Sequence, residues 1–519
     1  MNDPTPLVAT EPDSVLTPRA STRLRPTWFA LAAIATVVLS WVVLSSMGRS
    51  LWFDEAFSVW AARHDLAGVI ASARADTWPP LYHLGLHYWI LIFGTSEWGV
   101  RSFSLLAYLL GALVLYRLGL EVGRSWIAGA AAVLAFATNS VLLKQAVTAR
   151  GYPLLVLFAA SSVLFFVKAF VSPGASARWG PVALFVIANV LGTFTHYWYF
   201  FLLAGLGVAG LVQVPRSLRL RFVLAMAVSV IPFAVLWTPA LAAQLPVTAP
   251  LAWVHRPGVP DLIGALLRLL CGPVALPLLV ALVLVRVRPL RIDAGPFRRA
   301  WQRPVFRTLV LGSAVALFIP FLVSRVRPIF SPLYAVVALP LLAFAVAVVL
   351  AEASGIRPLV GGFVLVAVMA GQQLQSHGDS GWTDRIVARH LVEKVGDRAV
   401  VVFSGGWGLG VEYYLDRMPE ASRWVRRHFP ADVQSHPGWI DQERELVRGG
   451  ELDREADALC DEVVQLLKAQ PESKAYLFFN PDSRVDPVLR GKLAERLRMV
   501  DRDQVPGNRI SVERYELRP

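Results

Sequence analysis

Long apolar runs separated by short, arginine-rich connections make up most of the first 375 residues. Each run approaches the ~20 residues that an α-helix needs to cross about 30 Å of hydrocarbon. The predicted spans lie near residues 28–46, 98–118, 125–142, 152–171, 181–195, 198–214, 222–240, 273–287, 308–323, 333–351 and 357–374. This pattern predicts an all-α polytopic membrane domain over residues 27–375, with about eleven transmembrane helices.

Composition supports a membrane protein and excludes a nucleic-acid-binding one. The 519 residues are 55% hydrophobic and 17% charged, and their mean hydropathy is +0.52. A soluble chain carries about 25% charged residues. The net charge of +13 would suit nucleic acid, but the arginines cluster between apolar runs, as in the cytoplasmic loops of membrane proteins. Two cysteines, Cys271 and Cys460, are too few for a disulfide framework.

The arginine distribution also predicts the orientation. Arginine-rich connections recur near 117–124, 172–180, 215–221, 286–307 and 352–357, and the positive-inside rule assigns them to the cytoplasm. Residues 1–26, rich in Pro, Thr and Ser, then form a disordered cytoplasmic tail. An odd number of spans places the C-terminal part outside. We therefore expect a multi-pass protein of the plasma or inner membrane.

Residues 376–519 have a polar composition that predicts a separate extracytoplasmic α/β domain. A helix is predicted near 382–396, and β-rich runs cover 399–404 and 475–480. The glycine-rich run SGGWGLG at 404–410 follows the first β run. Its spacing fits neither the dinucleotide-binding nor the Walker pattern, so a structural turn is predicted.

The first extracytoplasmic loop, residues 47–97, concentrates acidic and aromatic residues beside the membrane. Asp54 and Glu55 begin a segment that reads as an amphipathic helix lying on the membrane surface. The pair Pro79-Pro80 ends any helix, and a second interfacial helix is predicted over 81–93. Because carboxylates are costly beside lipid, this loop is a candidate functional site.

Cations recur at the same predicted membrane depth. Arg101 begins the second span, Arg150 precedes the fourth, and Arg325 and Arg327 precede the tenth. They lie on the side that the positive-inside rule disfavours. An anionic ligand such as a lipid phosphate would offset their cost, whereas the structural alternative is interfacial arginines that extend toward water.

A carboxylate beside a lipid phosphate suits glycosyl transfer from a polyprenyl-phosphate sugar. The carboxylate takes the proton of an acceptor hydroxyl while arginine stabilises the departing phosphate. A single displacement needs one base and inverts the anomeric centre, whereas glycosidases use paired carboxylates. Asp54 is the predicted base, and Glu55 is the alternative.

Short motifs in a specific order resemble the GT-C membrane glycosyltransferases, over about residues 28–375. The similar branch includes protein O-mannosyltransferases, lipid A aminoarabinose transferases and Rgt-type enzymes. The matching motifs are DEA at 54–56, DTWPPLYH at 76–83, RS at 101–102, ARGY at 149–152 and THY at 195–197. The resemblance implies a GT-C fold and a polyprenyl-phosphate-linked sugar as donor.

The resemblance also implies roles for individual residues. Asp54 would be the catalytic carboxylate, Glu55 would support its loop, and Arg101 and Arg150 would contact the donor phosphate or order the cavity. The residues that would line the cavity are Asp76, Tyr82, His83, Tyr152 and His196. Some relatives hold a divalent cation, Mg²⁺ or Mn²⁺, near the catalytic Asp; the candidate ligands here are Asp54, Asp76 and His83, and His196 could contribute.

Two positions depart from the branch pattern. Trp78 stands where relatives commonly have His, which weakens a metal assignment. Leu333 stands where relatives commonly have Arg before the tenth span, so Arg325 or Arg327 would have to replace it in space.

Two alternatives to an enzyme stay open at this point. A lipid-linked sugar flippase or transporter would show internal repeats and charges deep within its spans. An inactive paralogue that acts as a scaffold would explain Leu333 and Trp78. The expected partners are a polyprenyl-phosphate sugar, membrane lipid, and a glycan, lipid or protein that offers a hydroxyl.

Overall fold

The structure is a computed structural model, and it describes most of the chain. The described residues are 25–123, 126–137, 139–172, 179–246, 254–270, 285–287, 290–292, 294–352, 360, 364, 366–368, 383–396, 398–435, 437, 442–505 and 508–519. The predicted tail at 1–26 and the predicted domain boundary at 375/376 fall almost wholly outside them.

Helices dominate the described part before residue 353. They are α1 (Arg25–Ser46), α2 (Phe53–Ala62), α3 (Leu66–Ala75), α4 (Leu81–Phe93), α5 (Glu97–Gly123), α6 (Trp126–Ala137), α7 (Ser140–Ala146), α8 (Tyr152–Phe166), α9 (Gly180–Thr193), α10 (Tyr199–Gln213), α11 (Arg216–Leu236), α12 (Thr238–Gln244), α13 (Val259–Leu269), α14 (Gly295–Gln302), α15 (Pro304–Val323) and α16 (Leu339–Glu352). A π-helical turn, Val167–Val171, extends α8, and a 3-10 turn, Tyr334–Ala338, precedes α16.

Within the described residues, four helical segments are long and apolar enough to cross a membrane. They are Glu97–Val122, Tyr152–Val171, Arg216–Leu236 and Pro304–Val323. Shorter apolar helices coincide with most of the other predicted spans. The predicted span at 125–142 is divided between α6 and α7, because the Asn139 side chain caps the start of α7 by accepting a hydrogen bond from the Leu142 amide at 3.0 Å. The runs at 273–287 and 357–374 lie largely outside the described residues, so the total of eleven stays a prediction.

The first loop forms three short helices. Helix α2 corresponds to the amphipathic helix that was predicted to begin at Asp54, and α4 corresponds to the helix that was predicted over residues 81–93. Helix α3 was not predicted; the Asp65 side chain caps it by accepting from the Gly68 amide at 2.8 Å. Pro79 and Pro80 separate α3 from α4, as their missing amide donors require.

The residues after 383 form a mixed sheet covered by helices on both faces. The strands are β3 (Ala399–Ser404), β4 (Val425–Phe429), β5 (Lys474–Phe479), β6 (Leu497–Gln504) and β7 (Ser511–Leu517), in the order β4-β3-β5-β7-β6. Strand β3 pairs parallel with β4 and β5, whereas β7 pairs antiparallel with β5 and β6. A separate two-stranded hairpin pairs β1 (Val285–Val287) with β2 (Leu290–Ile292).

Side-chain alternation along β3 explains why both faces are covered. Val400 and Val402 pack under α21 (Gly450–Ala469) and α22 (Asp486–Arg496), whereas Val401 and Phe403 pack under α17 (Asp384–Lys394) and α18 (Leu409–Leu415). The remaining helices are α19 (Asp432–Ser435) and α20 (Gln442–Val447), and Pro419–Arg423 is a 3-10 turn. The glycine-rich run after β3 turns at Gly405 and Gly406, whose φ angles of +75° and +78° favour glycine.

The C-terminal α/β unit packs on the first loop. One continuous apolar cluster joins Phe57 and Leu86 of the loop helices to Leu391 of α17 and Tyr414 of α18. The sheet therefore lies on the same side of the helices as the first loop.

Helices α10 and α15 approach closely at paired glycines. A Cβ built on Gly205 would lie 2.4 Å from the carbonyl oxygen of Gly312, whereas one built on Gly207 of the same helix would meet only the Met226 side chain, at 3.7 Å. The Gly205 contact is with backbone, which cannot rotate away.

We expect Gly205→Ala to destabilise the protein, because overpacking of this kind costs about 1–3 kcal/mol. Thermal unfolding in detergent should show a lower midpoint than wild type. Gly207→Ala is the matched control and should leave the midpoint unchanged or slightly higher. Equal midpoints for both variants would contradict the close packing of α10 on α15.

Candidate active site

A small cavity lies where the first loop meets the start of α8. It measures about 20 Å³, enough for roughly one water molecule. Three segments supply its walls: the first two turns of α2, the connection after α3, and the turn before α8. Its lining residues are Phe53, Asp54, Phe57, Asp76, Thr77, Trp78 and Arg150.

Asp54 and Arg150 form an ion pair across the cavity. The Arg150 Nη2 atom lies 3.4 Å from Asp54 Oδ2, and these side chains are 11% and 18% exposed, respectively. The Arg150 guanidinium also stacks over the Trp78 ring, 4.5 Å from its centroid. Residues far apart in sequence thus place a carboxylate, a cation and an indole around one small space.

Glu55 and Arg101 form a second pair that is fully buried. Arg101 Nε donates to Glu55 Oε1 at 2.8 Å and Nη2 donates to Oε2 at 2.7 Å, with neither side chain exposed. Glu55 Oε1 also accepts from the Ala149 amide at 2.7 Å. The bidentate geometry and the extra amide repay part of the desolvation cost of both charges.

Arg101 uses its remaining donors on the backbone that precedes α2. Its Nη1 donates to the carbonyl oxygens of Met47 at 2.8 Å and Arg49 at 2.7 Å, and Nη2 donates to that of Ser50 at 3.0 Å. Since Arg101 is buried against protein acceptors, we assign it to the support of the loop rather than to the donor phosphate. Glu55 is held in the same way, so of the neighbouring Asp54 and Glu55 it is Asp54 that lines the cavity, together with Asp76.

Tyr82 and His83 lie behind the cavity wall. The Tyr82 hydroxyl lies 3.2 Å from Ser104 Oγ, which donates to the Arg150 carbonyl at 3.0 Å. Tyr82 thus helps to position the turn that carries Arg150. The buried His83 ring contacts Phe57 and Tyr82, and within the described residues neither ring nitrogen has a hydrogen-bond partner.

An aromatic cluster lies beneath Arg150. The Trp78 ring packs edge-on against Tyr152 and His196, with centroid distances of 5.2 Å and 4.5 Å, and Tyr334 contacts both of those rings. His196 Nδ1 accepts from the Trp198 amide at 3.0 Å. The structure therefore brings the predicted Tyr152 and His196 together next to the cavity.

Arg325 and Arg327 lie apart from these residues, in the turn that follows α15. Arg325 is exposed, and its Nη1 donates to the Pro257 carbonyl at 2.9 Å. Neither residue is among those lining the cavity. Leu333 packs against the helical core, so the cation provided at this cavity is Arg150.

The described residues do not complete a metal site. No three His, Cys, Asp or Glu side chains among them lie close enough together to hold an ion. Asp54 and Asp76 do line one cavity, but Asp54 is paired with Arg150 and His83 lies outside the lining. The cation that the resemblance implied stays a prediction, and no chemical step below depends on it.

Several lining residues were not predicted from the sequence. Phe53 and Phe57 flank Asp54 on α2, and Thr77 lies in the connection after α3. Tyr334, also not predicted, lies outside the lining and contacts the Tyr152 and His196 rings. Phe53 and Phe57 stand i and i+4, a spacing that places both on one face of a helix and could have identified them. Trp78 was noted only as a departure, yet its ring supports Arg150.

The chain has the fold of ArnT. A crystal structure of ArnT from Cupriavidus metallidurans in the apo state aligns with a TM-score of 0.60 and 16% identity, over 95% of this chain and 98% of that chain. A structure of the same protein bound to undecaprenyl phosphate aligns with a TM-score of 0.59 and 16% identity, over 94% and 97%. No family model and no curated protein matches the sequence. The predicted all-α membrane fold is confirmed at the level of this shared fold, and four of the described helical segments are long and apolar enough to cross a membrane.

We expect Glu55→Gln to destabilise the protein strongly, because it leaves the Arg101 charge buried without its counter-charge. Breaking one partner of a buried pair costs about 3–5 kcal/mol. The yield of folded protein and the unfolding midpoint in detergent should both fall. The control is Glu462→Gln, which removes the partner of Arg427 at a half-exposed site. If its midpoint shift were as large as that of Glu55→Gln, burial of the Glu55–Arg101 pair would not be what makes it important for stability.

Burial raises the pKa of Asp76 to about 6, against the pull of the Thr77 amide and the Arg150 charge; Asp54 adds to the rise. Between about pH 4 and pH 6, Asp76 is therefore protonated in the folded protein and ionised in the unfolded chain. The free energy of unfolding falls as the pH rises through this range. Asp76→Asn should be neutral at pH 4 and stabilising above pH 6, by at most about 3 kcal/mol. Unfolding midpoints of the variant and of the wild type, measured across this pH range, test the prediction. Stabilisation by Asp76→Asn only at acidic pH would contradict it.

Proposed function

We propose that the protein is an integral-membrane glycosyltransferase. It moves a monosaccharide from a polyprenyl-phosphate donor to a hydroxyl group of an acceptor, a cell-envelope glycan, a glycolipid or a protein, on the extracytoplasmic face. The observation that carries this proposal is the Asp54–Arg150 pair in a cavity beside the membrane helices. The likeness to an ArnT structure bound to undecaprenyl phosphate supports a donor of this class.

Asp54 is the general base in this reaction. Its carboxylate takes the proton of the acceptor hydroxyl as the hydroxyl oxygen bonds to the anomeric carbon. The bond from that carbon to the phosphate oxygen breaks, and its electron pair leaves with the phosphate. The products are the glycosylated acceptor and polyprenyl phosphate, and a single displacement inverts the anomeric centre.

Arg150 stabilises the departing phosphate and also couples donor binding to the base. In the free protein its guanidinium pairs with Asp54 at 3.4 Å. A donor phosphate competes for the same guanidinium and offers bidentate acceptors. When the phosphate takes Arg150, the carboxylate of Asp54 is released to accept a proton.

The cavity must enlarge to hold a sugar, since about 20 Å³ fits one water molecule. Movement of Trp78 with Arg150 would open it without disturbing Glu55 and Arg101, which are fixed in the core. In this proposal the N-terminus is cytoplasmic and the C-terminal α/β unit is extracytoplasmic. The charged site residues gather at one end of the helices, which favours this proposal over a flippase or transporter, and the Asp54–Arg150 pair favours it over an inactive scaffold.

Asp54→Asn should lower the rate of transfer about 10²–10⁴-fold, the usual contribution of a general base. The donor would be identified first, by comparing the glycolipids and wall glycans of a deletion strain with those of the parent by mass spectrometry. Transfer by purified protein is then measured with that donor. Asp65→Asn is the control, because Asn caps helix α3 as well as Asp does.

Retained wild-type transfer in Asp54→Asn would remove Asp54 from the mechanism. Movement of the lipid-linked sugar across vesicles by wild-type protein, without a glycosylated product, would replace the enzyme by a transporter.

A further inference from the structure

The segment that connects α1 to α2, residues 48–51, lies between two sets of contacts. It has no regular secondary structure, and it ends just before α2, whose first turn carries Asp54. From the membrane side, Arg101 binds its carbonyl oxygens. From the opposite side, the C-terminal α/β unit binds it through Tyr414 and Arg385.

Tyr414, on α18, joins this segment to the start of α5. Its hydroxyl accepts a hydrogen bond from the Leu51 amide at 2.7 Å and donates one to Glu97 Oε1 at 3.0 Å. Tyr414 is 4% exposed, and its hydrogen bond with the Leu51 amide is buried, whereas the one to Glu97 is partly buried. A phenylalanine in its place would leave the buried Leu51 amide without this acceptor.

Arg385, in the first turn of α17, makes a second set of contacts with the same segment. Its amide donates to Ser50 Oγ at 3.1 Å, and its guanidinium donates to the Gly48 carbonyl at 3.1 Å. The guanidinium also pairs with Glu97 and lies 5.2 Å from the centre of the Tyr414 ring. Arg385, Tyr414 and Glu97 therefore form one connected network around residues 48–51.

Fixing these residues matters for Asp54 because its partner comes from elsewhere in the chain. Arg150 is carried by the turn before α8, so the Asp54–Arg150 distance depends on where α2 starts. Holding an irregular segment in one conformation costs conformational entropy, and the two sets of contacts offset that cost. A small displacement of a reacting group can lower a rate about 10²-fold.

We propose that Tyr414 and Arg385 are positioning residues for the transfer reaction, and that the C-terminal unit holds residues 48–51, and with them Asp54, in register with Arg150. This rests on the proposed function. The two residues touch neither donor nor acceptor and act through the backbone of the loop.

Neighbouring residues on the same face of the C-terminal unit provide matched controls. The Tyr413 hydroxyl donates to the Thr95 carbonyl, and Arg417 donates to Thr95 Oγ1 at 2.9 Å while its guanidinium stacks on the Tyr413 ring. These contacts attach the unit to the turn between α4 and α5 instead of to residues 48–51. Tyr413→Phe and Arg417→Gln thus weaken the interface without touching the segment.

The experiment compares Tyr414→Phe and Arg385→Gln with those controls in full-length protein. Hydrogen exchange of peptides covering residues 47–57 reports on the segment directly, and steady-state transfer gives kcat and the KM for donor. We expect faster exchange of the Leu51 amide in Tyr414→Phe, a kcat about 10–100-fold lower in both variants, and a donor KM within about twofold of wild type because Arg150 is untouched. The controls should match wild type in exchange of this segment and in kcat.

Unchanged exchange together with unchanged kcat in both folded variants would overturn the proposal. So would loss of folded protein in both, because the contacts would then serve overall stability alone. If wild-type protein transfers no sugar, the proposed function fails, and the exchange measurement still decides whether Tyr414 and Arg385 hold the segment.

Discussion

The buried pair of Glu55 and Arg101 is the interaction on which the rest of the site depends. It joins three parts of the chain, because Glu55 lies on α2, Arg101 lies on α5, and the Ala149 amide, which donates a hydrogen bond to Glu55, precedes α8. Successive helical residues point about 100° apart, so fixing Glu55 in the core directs its neighbour Asp54 to the cavity. The desolvated pair thereby defines where the Asp54 carboxylate lies.

The arginines that the sequence placed at one membrane depth have separate tasks. Arg101 holds backbone carbonyls in the interior, Arg150 faces the cavity, and Arg325 is exposed beside residue 257. Of Arg101, Arg150 and Arg325, it is Arg150 that combines partial exposure with a carboxylate and an aromatic face. A cation that keeps some contact with solvent and pairs at 3.4 Å can exchange its partner for a phosphate, whereas one with bidentate buried bonds cannot do so cheaply.

The C-terminal unit completes this arrangement from outside the helices. The loop before α2 has Arg101 on one side and the Tyr414, Arg385 and Glu97 network on the other. A flat membrane surface would leave the polar backbone of such a loop to water. A folded unit that covers the loop strengthens its hydrogen bonds and holds it in one conformation, which keeps Asp54 within reach of Arg150 on another element.

The sequence by itself determined the membrane class, the helices around the first loop and the β runs of the C-terminal unit, because hydropathy, proline positions and alternation are local properties. It also named Asp54 and Arg150 as candidate site residues. Only the tertiary structure showed that Asp54 lines the cavity while Glu55 is buried, and that Arg150 faces the cavity while Arg101 is buried. Residues of the same chemistry differ in the face they occupy and in what packs against it. It likewise decided that Trp78 supports Arg150 and that Tyr414 reaches Leu51, contacts between residues distant in sequence that no local pattern encodes.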